Sequence, residues 1–215
     1  MTTLLIATRN VHKVGEIRAI LGPSFQFLTL NDFPAAPPVI EDADTFAGNA
    51  AKKAMELARW LAAKPAAAGN PPPPPNFVLA DDSGLEVDAL HGAPGVYSAR
   101  FAALDKKENS SDADNNAKLL RLLAEVPAEK RTARFRCVIA LVAIQGPTAK
   151  VKRPQLFDGA CEGKIILEPR GRNGFGYDPL FVPDGHAQTF AELGDEVKNQ
   201  LSHRARALAK LKIFF

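Results

Sequence analysis

The stretch "FVLADDSGLEVDAL", residues 77–90, places a short apolar run directly before two adjacent carboxylates, Asp81 and Asp82. A continuous apolar run such as "FVLA" is typical of a buried strand. Adjacent carboxylates at the end of such a strand repel each other and lose hydration, so they require a nearby cation or several hydrogen-bond donors. A structural alternative stays open, because Asp-Ser-Gly also suits a turn.

Strands and helices alternate in the first part of the chain. The run "TLLIAT", residues 3–8, predicts a buried strand, and "FQFLTL", residues 25–30, predicts a second one. A longer amphipathic helix is predicted from about Thr45, a suitable N-cap, to Ala63. Between the two strands, apolar residues recur at helical spacing and predict a helix; they are Val11, Val14, Ile17, Ile20 and Leu21.

Strands cluster in the later part of the chain. Residues 110–126 carry capping residues before a helical pattern, and residues 132–167 predict two or three antiparallel strands with a turn at Gly146-Pro147. The C-terminal segment predicts helix, with Ser202 capping its last part. This order of elements favours the α/β class, with a mixed twisted sheet and flanking helices.

With 215 residues, of which 46% are hydrophobic, the chain can bury a full core as one large domain or as two closely joined lobes. We expect a single domain over residues 1–215. The Pro-rich stretch at residues 64–76 predicts a surface insertion. A formal net charge of +3 gives no argument for a nucleic-acid partner. The N-terminal apolar run is too short for a signal peptide or a membrane span, so we expect a cytoplasmic protein without membrane contact. Cys137 and Cys161 are expected to be reduced, buried thiols.

A second group of carboxylates precedes the long helix. The sequence "VIEDADTF" places Glu41, Asp42 and Asp44 in a loop from which a carboxylate can reach toward the strand that carries Asp82. Oxygen ligands of this kind suit Mg²⁺, and no cluster of His or Cys competes for a softer metal. The sequence therefore indicates a magnesium site.

Two basic features lie in positions that suit phosphate. Thr8 and Asn10 occupy the turn after the first strand, with free backbone N–H groups at a helix start and Lys13 one turn later, although an ordinary helix cap would have the same pattern. Lys53 follows Asn49 by four residues, which directs it toward the helix start and the acidic loop. Considered alone, Lys53 also fits a solvated lysine.

Two further features suit a base or a polar ligand. His203 and Arg204 begin the last helix, where the helix dipole disfavours cations by a few tenths to about 1 kcal/mol, so a ligand carbonyl or phosphate is expected nearby, with Lys198 adding charge. The stretch "GRNGFGYDPLF", residues 171–181, offers glycines for close backbone approach and Phe175 or Tyr177 for stacking on a flat ring. A tight structural loop is the alternative.

These features together describe a nucleoside triphosphate bound with Mg²⁺, although the chain has no Walker A or GxGxxG sequence. The chain resembles the inosine/xanthosine triphosphate pyrophosphatase family, which removes non-standard purine nucleotides. One departure from the family pattern is Ala43, where the family usually has Gly, and another is the Pro-rich insertion. The motifs that carry the resemblance span nearly the whole chain; they are "ATRNVHKVGEI", "TFAGNAAKKA", "ADDSGLEVDALHGAPGVYSARFA", "GFGYDPLF" and "TFAELGDEVKNQLSHRARAL".

The resemblance implies a role for each matching residue. Glu41 and Asp82 would coordinate Mg²⁺, with Asp81 close by, and Asp82 would also orient or deprotonate the attacking water. Phe175 would stack on the purine. The other residues implied to bind substrate are Thr8, Arg9, Asn10, Lys13 and Lys53 at the triphosphate, Ser83, Gly176, Tyr177 and Asp178 along the substrate, and Lys198, His203 and Arg204 at the 6-oxo edge of the purine and nearby groups.

The implied reaction is in-line attack of water on the α-phosphorus of ITP, dITP or XTP, which gives the nucleoside monophosphate and pyrophosphate. The family fold is an elongated two-lobed structure with a central cleft, usually as a homodimer. Two alternatives stay open. One is a nucleoside triphosphatase that releases orthophosphate from the γ-position, and the other is a binding module without activity.

Overall fold

The computed structural model describes residues 1–63, 75–103, 109–144 and 153–215. Within these ranges the chain forms six strands and five α-helices. In chain order they are β1 (Thr2–Ile6), α1 (Val11–Leu21), β2 (Phe25–Thr29), α2 (Phe46–Ala63), β3 (Phe77–Val87), α3 (Asp112–Leu122), β4 (Thr132–Ala143), β5 (Gln155–Ile165), β6 (Phe181–Pro183), α4 (Phe190–Leu201) and α5 (His203–Phe214). Short 3-10 helices lie at Asp88–Leu90, Gly95–Ala103 and Ala128–Lys130.

The strands form one mixed sheet in the order β2-β1-β3-β4-β5-β6. Strand β1 pairs parallel with β2 and with β3, whereas β5 pairs antiparallel with β6. Mixed pairing with helices along the chain confirms the predicted α/β class. The two-lobed shape with a cleft stays a prediction.

The chain divides into two compact units, and the first contains Met1–Asp82, Val138–Phe157 and Leu208–Phe215. Its strands are buried, and Leu5 of β1 lies in register between Leu28 of β2 and Val78 of β3. Helix α1 buries Ile17 and Leu21, but Val11 is 69% exposed, so the buried face of α1 is narrower than its apolar spacing predicted. That a single domain spans the chain stays a prediction.

The second unit contains Ser83–Cys137 and Asp158–Ala207. An aromatic-rich core stabilises it, because large buried side chains remove the most apolar surface from water per residue. The members of this core include Leu85, Phe101, Leu119, Phe135, Tyr177, Leu180, Phe181 and Phe190. Phe135, Phe181 and Phe190 contact one another ring to ring, with centroids 4.8–6.0 Å apart.

Strand β3 is longer than the sequence predicted. The apolar run was expected to end before Asp81 and Asp82, yet the strand continues through both carboxylates to Val87. The alternative prediction of a turn at Asp-Ser-Gly is therefore wrong. The acids can remain inside a buried strand because lysine side chains reach them, as described below.

The predicted helix caps are confirmed. Thr45 Oγ1 accepts a hydrogen bond from the Gly48 amide at 3.0 Å, and Ser202 Oγ accepts one from the Ala205 amide at 3.2 Å. Cys137 and Cys161 are free and buried, as predicted. Burial raises the pKa of the Cys161 thiol to about 11, so this group stays protonated.

Two sequence predictions lie outside the described residues, namely the Gly146-Pro147 turn and residues 64–74 of the Pro-rich insertion. Among the helices of the described ranges, none combines the length and the apolar character that crossing a bilayer requires.

Candidate functional site

A cluster of carboxylates and lysines lies in the first unit, and we call Lys13, Glu41, Lys53, Asp81 and Asp82 the acid–lysine cluster. Lys53, on α2, is at its centre. Its Nζ lies 3.0 Å from Asp82 Oδ1 and 3.3 Å from Glu41 Oε1, and it donates to the Asp81 backbone oxygen at 2.7 Å. The prediction that Lys53 points toward the acidic loop is confirmed, and the alternative of a solvated lysine is wrong.

Lys13 forms the second contact of the acid–lysine cluster. Its Nζ forms an ion pair with Asp81 Oδ1, and the Asp81 side chain is fully buried. One lysine from α1 and one from α2 therefore meet neighbouring carboxylates of β3. This arrangement compensates much of the charge that two adjacent acids bring into a buried strand.

The acid–lysine cluster contains three carboxylates and two lysines, so its five groups together carry one net negative charge when all are ionised. Burial, together with the charge of Glu41, raises the pKa of Asp82 to about 6, although Lys53 and Lys13 pull in the opposite direction. Burial alone would also raise the pKa of Glu41. The charge of Lys53 and a hydrogen bond with Asp82 outweigh that effect and lower it.

The acid–lysine cluster offers carboxylate oxygens, the type of ligand that Mg²⁺ prefers. Asp82 Oδ2 is buried and has no hydrogen-bond partner among the described residues, so this oxygen is available to a cation. Across the described ranges, no three His, Cys, Asp or Glu side chains are arranged as metal ligands. The chain would thus supply carboxylates from Glu41 and Asp82. Phosphate oxygens and water would complete the shell, as is usual for Mg²⁺ in nucleotide sites.

The turn after β1 differs from its prediction in one respect. Asn10 is the N-cap of α1, and its Oδ1 accepts from the amides of His12 at 3.0 Å and Lys13 at 3.1 Å. Those two N–H groups are therefore not free, and the alternative of an ordinary helix cap describes Asn10 correctly. Thr8 Oγ1 in turn accepts from the Asn10 amide at 3.1 Å. Arg9 is exposed and donates to the Ala36 backbone oxygen at 3.4 Å.

In the second unit, Asp178 and Lys198 form a buried ion pair beside Phe175. Asp178 Oδ2 accepts from Lys198 Nζ at 2.5 Å and from the Phe175 amide at 2.8 Å, and both paired side chains are only 2% exposed. Lys198 Nζ lies 4.4 Å from the centre of the Phe175 ring, which is within cation–π range. Gly174 has no side chain where a Cβ would overlap the Asp178 carboxylate, so glycine is required there.

Tyr177 is a core residue. Its ring is buried in the second unit, and its hydroxyl donates to the Ser98 backbone oxygen at 2.8 Å. Burial and the charge of Asp112 raise the pKa of Tyr177, which keeps this hydroxyl protonated as a donor. Stacking by Tyr177, one of two options from the sequence, is therefore wrong. Phe175, which is only partly buried, is the remaining aromatic candidate in this loop.

The start of α3 holds the peptide of Gly176, a contact that sequence reasoning missed. Asp112 Oδ2 accepts from the Gly176 amide at 2.6 Å, and Asn116 Nδ2 donates to the Gly176 oxygen at 3.0 Å. Gly176 has a positive φ of 62°, which favours glycine. The only sequence signal was a pair of polar residues four apart on one helix face, with no indication of their partner.

The first residues of α5 are also placed inside the second unit. Arg204 is nearly fully buried and donates through Nη2 to Ser83 Oγ at 2.9 Å. The His203 ring stacks on Phe135, with centroids 4.8 Å apart and planes 12° apart. The sequence predicted a ligand near these two basic side chains. The Phe135 ring and the Ser83 hydroxyl provide part of the contacts that were expected from that ligand. Gly159 of β5 lets the α5 backbone approach closely.

Comparison with known proteins places this geometry in a family. The sequence model of the Ham1 family matches residues 4–214. A dITP/XTP pyrophosphatase of Geobacter sulfurreducens is 51% identical over 213 residues, covering 99% of this chain and 96% of the relative. A dITP/XTP pyrophosphatase of Desulforamulus reducens is 49% identical over 208 residues, covering 96% of this chain and 92% of the relative.

Solved structures agree with the sequence comparison. A HAM1 protein from Coxiella burnetii superposes with a TM-score of 0.80 at 36% identity, covering 100% of this chain and 98% of the other. A nucleoside-triphosphatase / dITP/XTP pyrophosphatase from Mycobacterium abscessus gives a TM-score of 0.71 at 38% identity, covering 98% of each chain. The resemblance inferred from the sequence motifs is confirmed, and the chain belongs to the Ham1 family.

Proposed function

We propose that this protein hydrolyses non-canonical purine nucleoside triphosphates, namely ITP, dITP and XTP, to the monophosphate and pyrophosphate. The observation that carries the proposal is the acid–lysine cluster, where a buried carboxylate with a pKa of about 6 lies 3.0 Å from a lysine. Family membership and the pyrophosphatase names of the relatives support the same reaction. Removal of these nucleotides would keep them out of the nucleotide pool.

The triphosphate is assigned to the residues around β1 and α2. Lys13 and Lys53 supply positive charge, and each has a carboxylate partner that phosphate oxygens could replace or share. Thr8, Arg9 and Asn10 form the turn beside Lys13 and add polar contacts. Because both lysines are already held by the fold, little side-chain entropy would be lost when they bind phosphate.

Glu41 and Asp82 are assigned as the protein ligands of Mg²⁺. Their carboxylates both contact Lys53, and Asp82 Oδ2 is a buried acceptor without a hydrogen-bond donor among the described residues. Bound Mg²⁺ would neutralise phosphate charge and polarise the phosphoryl group. Dependence on this metal is part of the proposal.

Asp82 is assigned as the general base. The pKa of about 6 describes Asp82 in the metal-free protein, where the carboxyl is mainly ionised at neutral pH. An ionised, buried carboxylate can accept a proton from water. A water oxygen bonds to the α-phosphorus, the bond from the α-phosphorus to the bridging oxygen breaks, and Asp82 takes the water proton. Lys13 and Lys53 stabilise the charge that develops on the leaving pyrophosphate.

The purine base is assigned to the loop around Phe175, whose ring would stack on it. Lys198, His203 and Arg204 would recognise the 6-oxo edge, since a lysine or arginine can only donate and adenine presents a donor at that position. Gly176, Tyr177 and Asp178 support this wall through the contacts described above, and Ser83 does so through Arg204. Guanine also has a 6-oxo group, so its exclusion would depend on its 2-amino group.

A homodimer and a cytoplasmic location are further parts of the proposal. They rest on the family resemblance, and an analytical ultracentrifugation run would test the oligomeric state.

The deciding experiment is product analysis by anion-exchange chromatography. The protein and Mg²⁺ are incubated separately with the triphosphates of inosine, xanthosine, adenosine and guanosine. Monophosphate plus pyrophosphate from the first two, with little from the others, is expected. Diphosphate plus orthophosphate would establish the alternative γ-phosphate cleavage, and no turnover of any substrate would favour a binding module.

A further inference from the structure

The loop that carries Glu41 has no regular structure of its own. Residues 38–45 lie between β2 and α2 outside any helix or strand, so no repeating backbone hydrogen bonds fix their conformation. Glu41 nevertheless has to face Lys53 and Asp82 for the acid–lysine cluster to form. A loop of this kind needs side chains to hold it in place.

Asn49 of α2 provides such a contact at Ala43, two residues after Glu41. Its Oδ1 accepts from the Ala43 amide at 2.9 Å, and its Nδ2 donates to the Ala43 oxygen at 3.2 Å. One carboxamide thus binds both polar groups of a single residue's backbone, as a neighbouring strand would. Asn49 is 1% exposed, and a buried amide in a helix interior is costly unless it is fully hydrogen-bonded.

Gly48, directly before Asn49, provides the second contact with Ala43. A Cβ added at Gly48 would lie 2.8 Å from the Ala43 Cβ, which is closer than two such atoms can approach. The methyl group of Ala43 therefore occupies the space that a side chain at position 48 would need. Ala43 stands where the family resemblance implies Gly, and in this chain its methyl group packs on Gly48.

The two contacts share a helix face with the acid–lysine cluster. Lys53 follows Asn49 by one helical turn, so the same face of α2 binds the Ala43 backbone and the Glu41 carboxylate. A second link between α2 and this loop, the Lys52–Asp42 ion pair at 2.6 Å, lies on the surface, with side chains 30% and 64% exposed. These links differ in burial and can be tested separately.

We propose that Asn49, together with the fit of Ala43 on Gly48, is the positioning device that holds Glu41 toward Asp82. Asn49 acts through the loop backbone and does not touch the reacting atoms. The inference rests on the proposed function in one respect, namely the assignment of Glu41 as a metal ligand. Residues that orient metal ligands typically change metal affinity by about 10–100-fold when they are replaced.

The first test is Asn49→Leu, which keeps the approximate size but removes both hydrogen bonds. Amide exchange measured by NMR on the metal-free protein should become at least about tenfold faster at Ala43, because its N–H loses its partner. The Mg²⁺ concentration for half-maximal turnover should rise by about 10–100-fold. The value of kcat at saturating Mg²⁺ should change much less, since Asp82 itself is untouched.

The matched control is Lys52→Ala, which breaks the exposed link between the same helix and the same loop. It should leave the exchange of Ala43 and the Mg²⁺ requirement within about twofold of the wild type, because exposed pairs contribute little. Slow exchange at Ala43 in Asn49→Leu would overturn the assignment of the hydrogen bond. Fast exchange with an unchanged Mg²⁺ requirement would overturn the positioning of Glu41.

A second pair of variants guards against simple misfolding of Asn49→Leu. Ala is a better helix former than Gly, so any harm from Gly48→Ala has to come from contacts such as the one with Ala43. Gly48→Ala should raise the Mg²⁺ requirement, and the double variant Ala43→Gly with Gly48→Ala should restore it. Because Thr45 Oγ1 would also lie 3.1 Å from a Cβ at position 48, the recovery should be large but incomplete. A double variant with the same Mg²⁺ requirement as Gly48→Ala would contradict the proposed fit.

These outcomes are separate from the test of the proposed function. Release of orthophosphate by the wild type would overturn the proposed cleavage site but leave the Mg²⁺ requirement measurable. The exchange of Ala43 needs neither metal nor substrate.

Discussion

The two units use lysine and carboxylate in different proportions. In the second unit, Asp178 and Lys198 form a one-to-one pair, 2.5 Å apart, with both side chains 2% exposed. In the acid–lysine cluster of the first unit, the pair Lys53–Asp82 is longer at 3.0 Å and more exposed, at 11% and 8%, and it shares its lysine with Glu41. The charges of the Asp178–Lys198 pair balance each other. The five groups of the acid–lysine cluster carry one net negative charge when all are ionised.

This difference agrees with the proposed roles, in which the acid–lysine cluster carries out the reaction and the Asp178–Lys198 pair holds the base-binding loop in place. A complete buried pair gains nothing from a further ion and loses much if one partner is removed. In the acid–lysine cluster, burial raises the pKa of Asp82 to about 6, and the buried Asp82 Oδ2 has no hydrogen-bond donor among the described residues. Such a group changes state when a proton or a cation arrives.

The largest effect is expected from Asp82→Asn, which removes the assigned base. The turnover rate should fall by about 10²–10⁴-fold, the range that general-base catalysis contributes. The far-UV circular dichroism spectrum should stay that of the wild type, because Asn fills the same space. A variant with wild-type kcat would show that Asp82 is not the general base. The acid–lysine cluster would then no longer differ from the Asp178–Lys198 pair by a catalytic role.

Asp178→Asn is expected to lower the free energy of unfolding. It leaves Lys198 as a buried charge without its counter-ion, which typically costs about 3–5 kcal/mol of unfolding free energy. Urea denaturation at pH 7 measures this loss. Combining it with Lys198→Met should recover a large part, since both charges are then absent. A single variant as stable as the wild type would show that this pair is not structural.

Asp82→Asn is expected to have the opposite effect on the stability of the metal-free protein. The pKa of Asp82 is about 6, above its ordinary value of 3.8, so the folded state binds this proton more tightly than the unfolded state does. The stability that the protonated carboxyl provides is present below about pH 4 and is lost as pH rises through 6. Glu41 titrates in the opposite direction.

The variant should therefore be more stable than the wild type at pH 8 by about 3 kcal/mol, and equal to it near pH 4. Denaturation curves at both pH values, recorded with a chelator, give the difference. A gain that is the same at both pH values would show that charge at Asp82 is not its cause. Asp82→Asn is thus expected to be more stable than the wild type at pH 8 although it is far less active.

Much of the fold could be predicted from the sequence, because it is encoded locally. The apolar runs predicted β1 and β2, the helical spacing predicted α1 and α2, and Thr45 and Ser202 were identified as caps. The direction of Lys53 followed from its spacing to the start of its own helix. Each of these features depends on neighbours within a few residues, which is the range that a sequence pattern describes.

The remainder depended on distant partners. The extension of β3 through two acids requires lysines from α1 and α2, and the burial of Tyr177 requires a partner 79 residues away, Ser98. Asn49 was noticed only for its spacing to Lys53, because nothing in a helix pattern shows which backbone its amide binds. Asp112 was missed for the same reason, since it binds a peptide 64 residues further along the chain.

The smallest effect is expected from Asp42→Asn. The Asp42–Lys52 pair is 2.6 Å long, almost the length of the Asp178–Lys198 pair, but it lies on the surface. Water and salt screen an exposed pair, and holding two long side chains in one geometry costs entropy. The urea midpoint should therefore not move beyond experimental error, either at low salt or at high salt. A loss comparable to that of Asp178→Asn would mean that distance, and not burial and charge balance, decides what a lysine–carboxylate pair contributes in this protein.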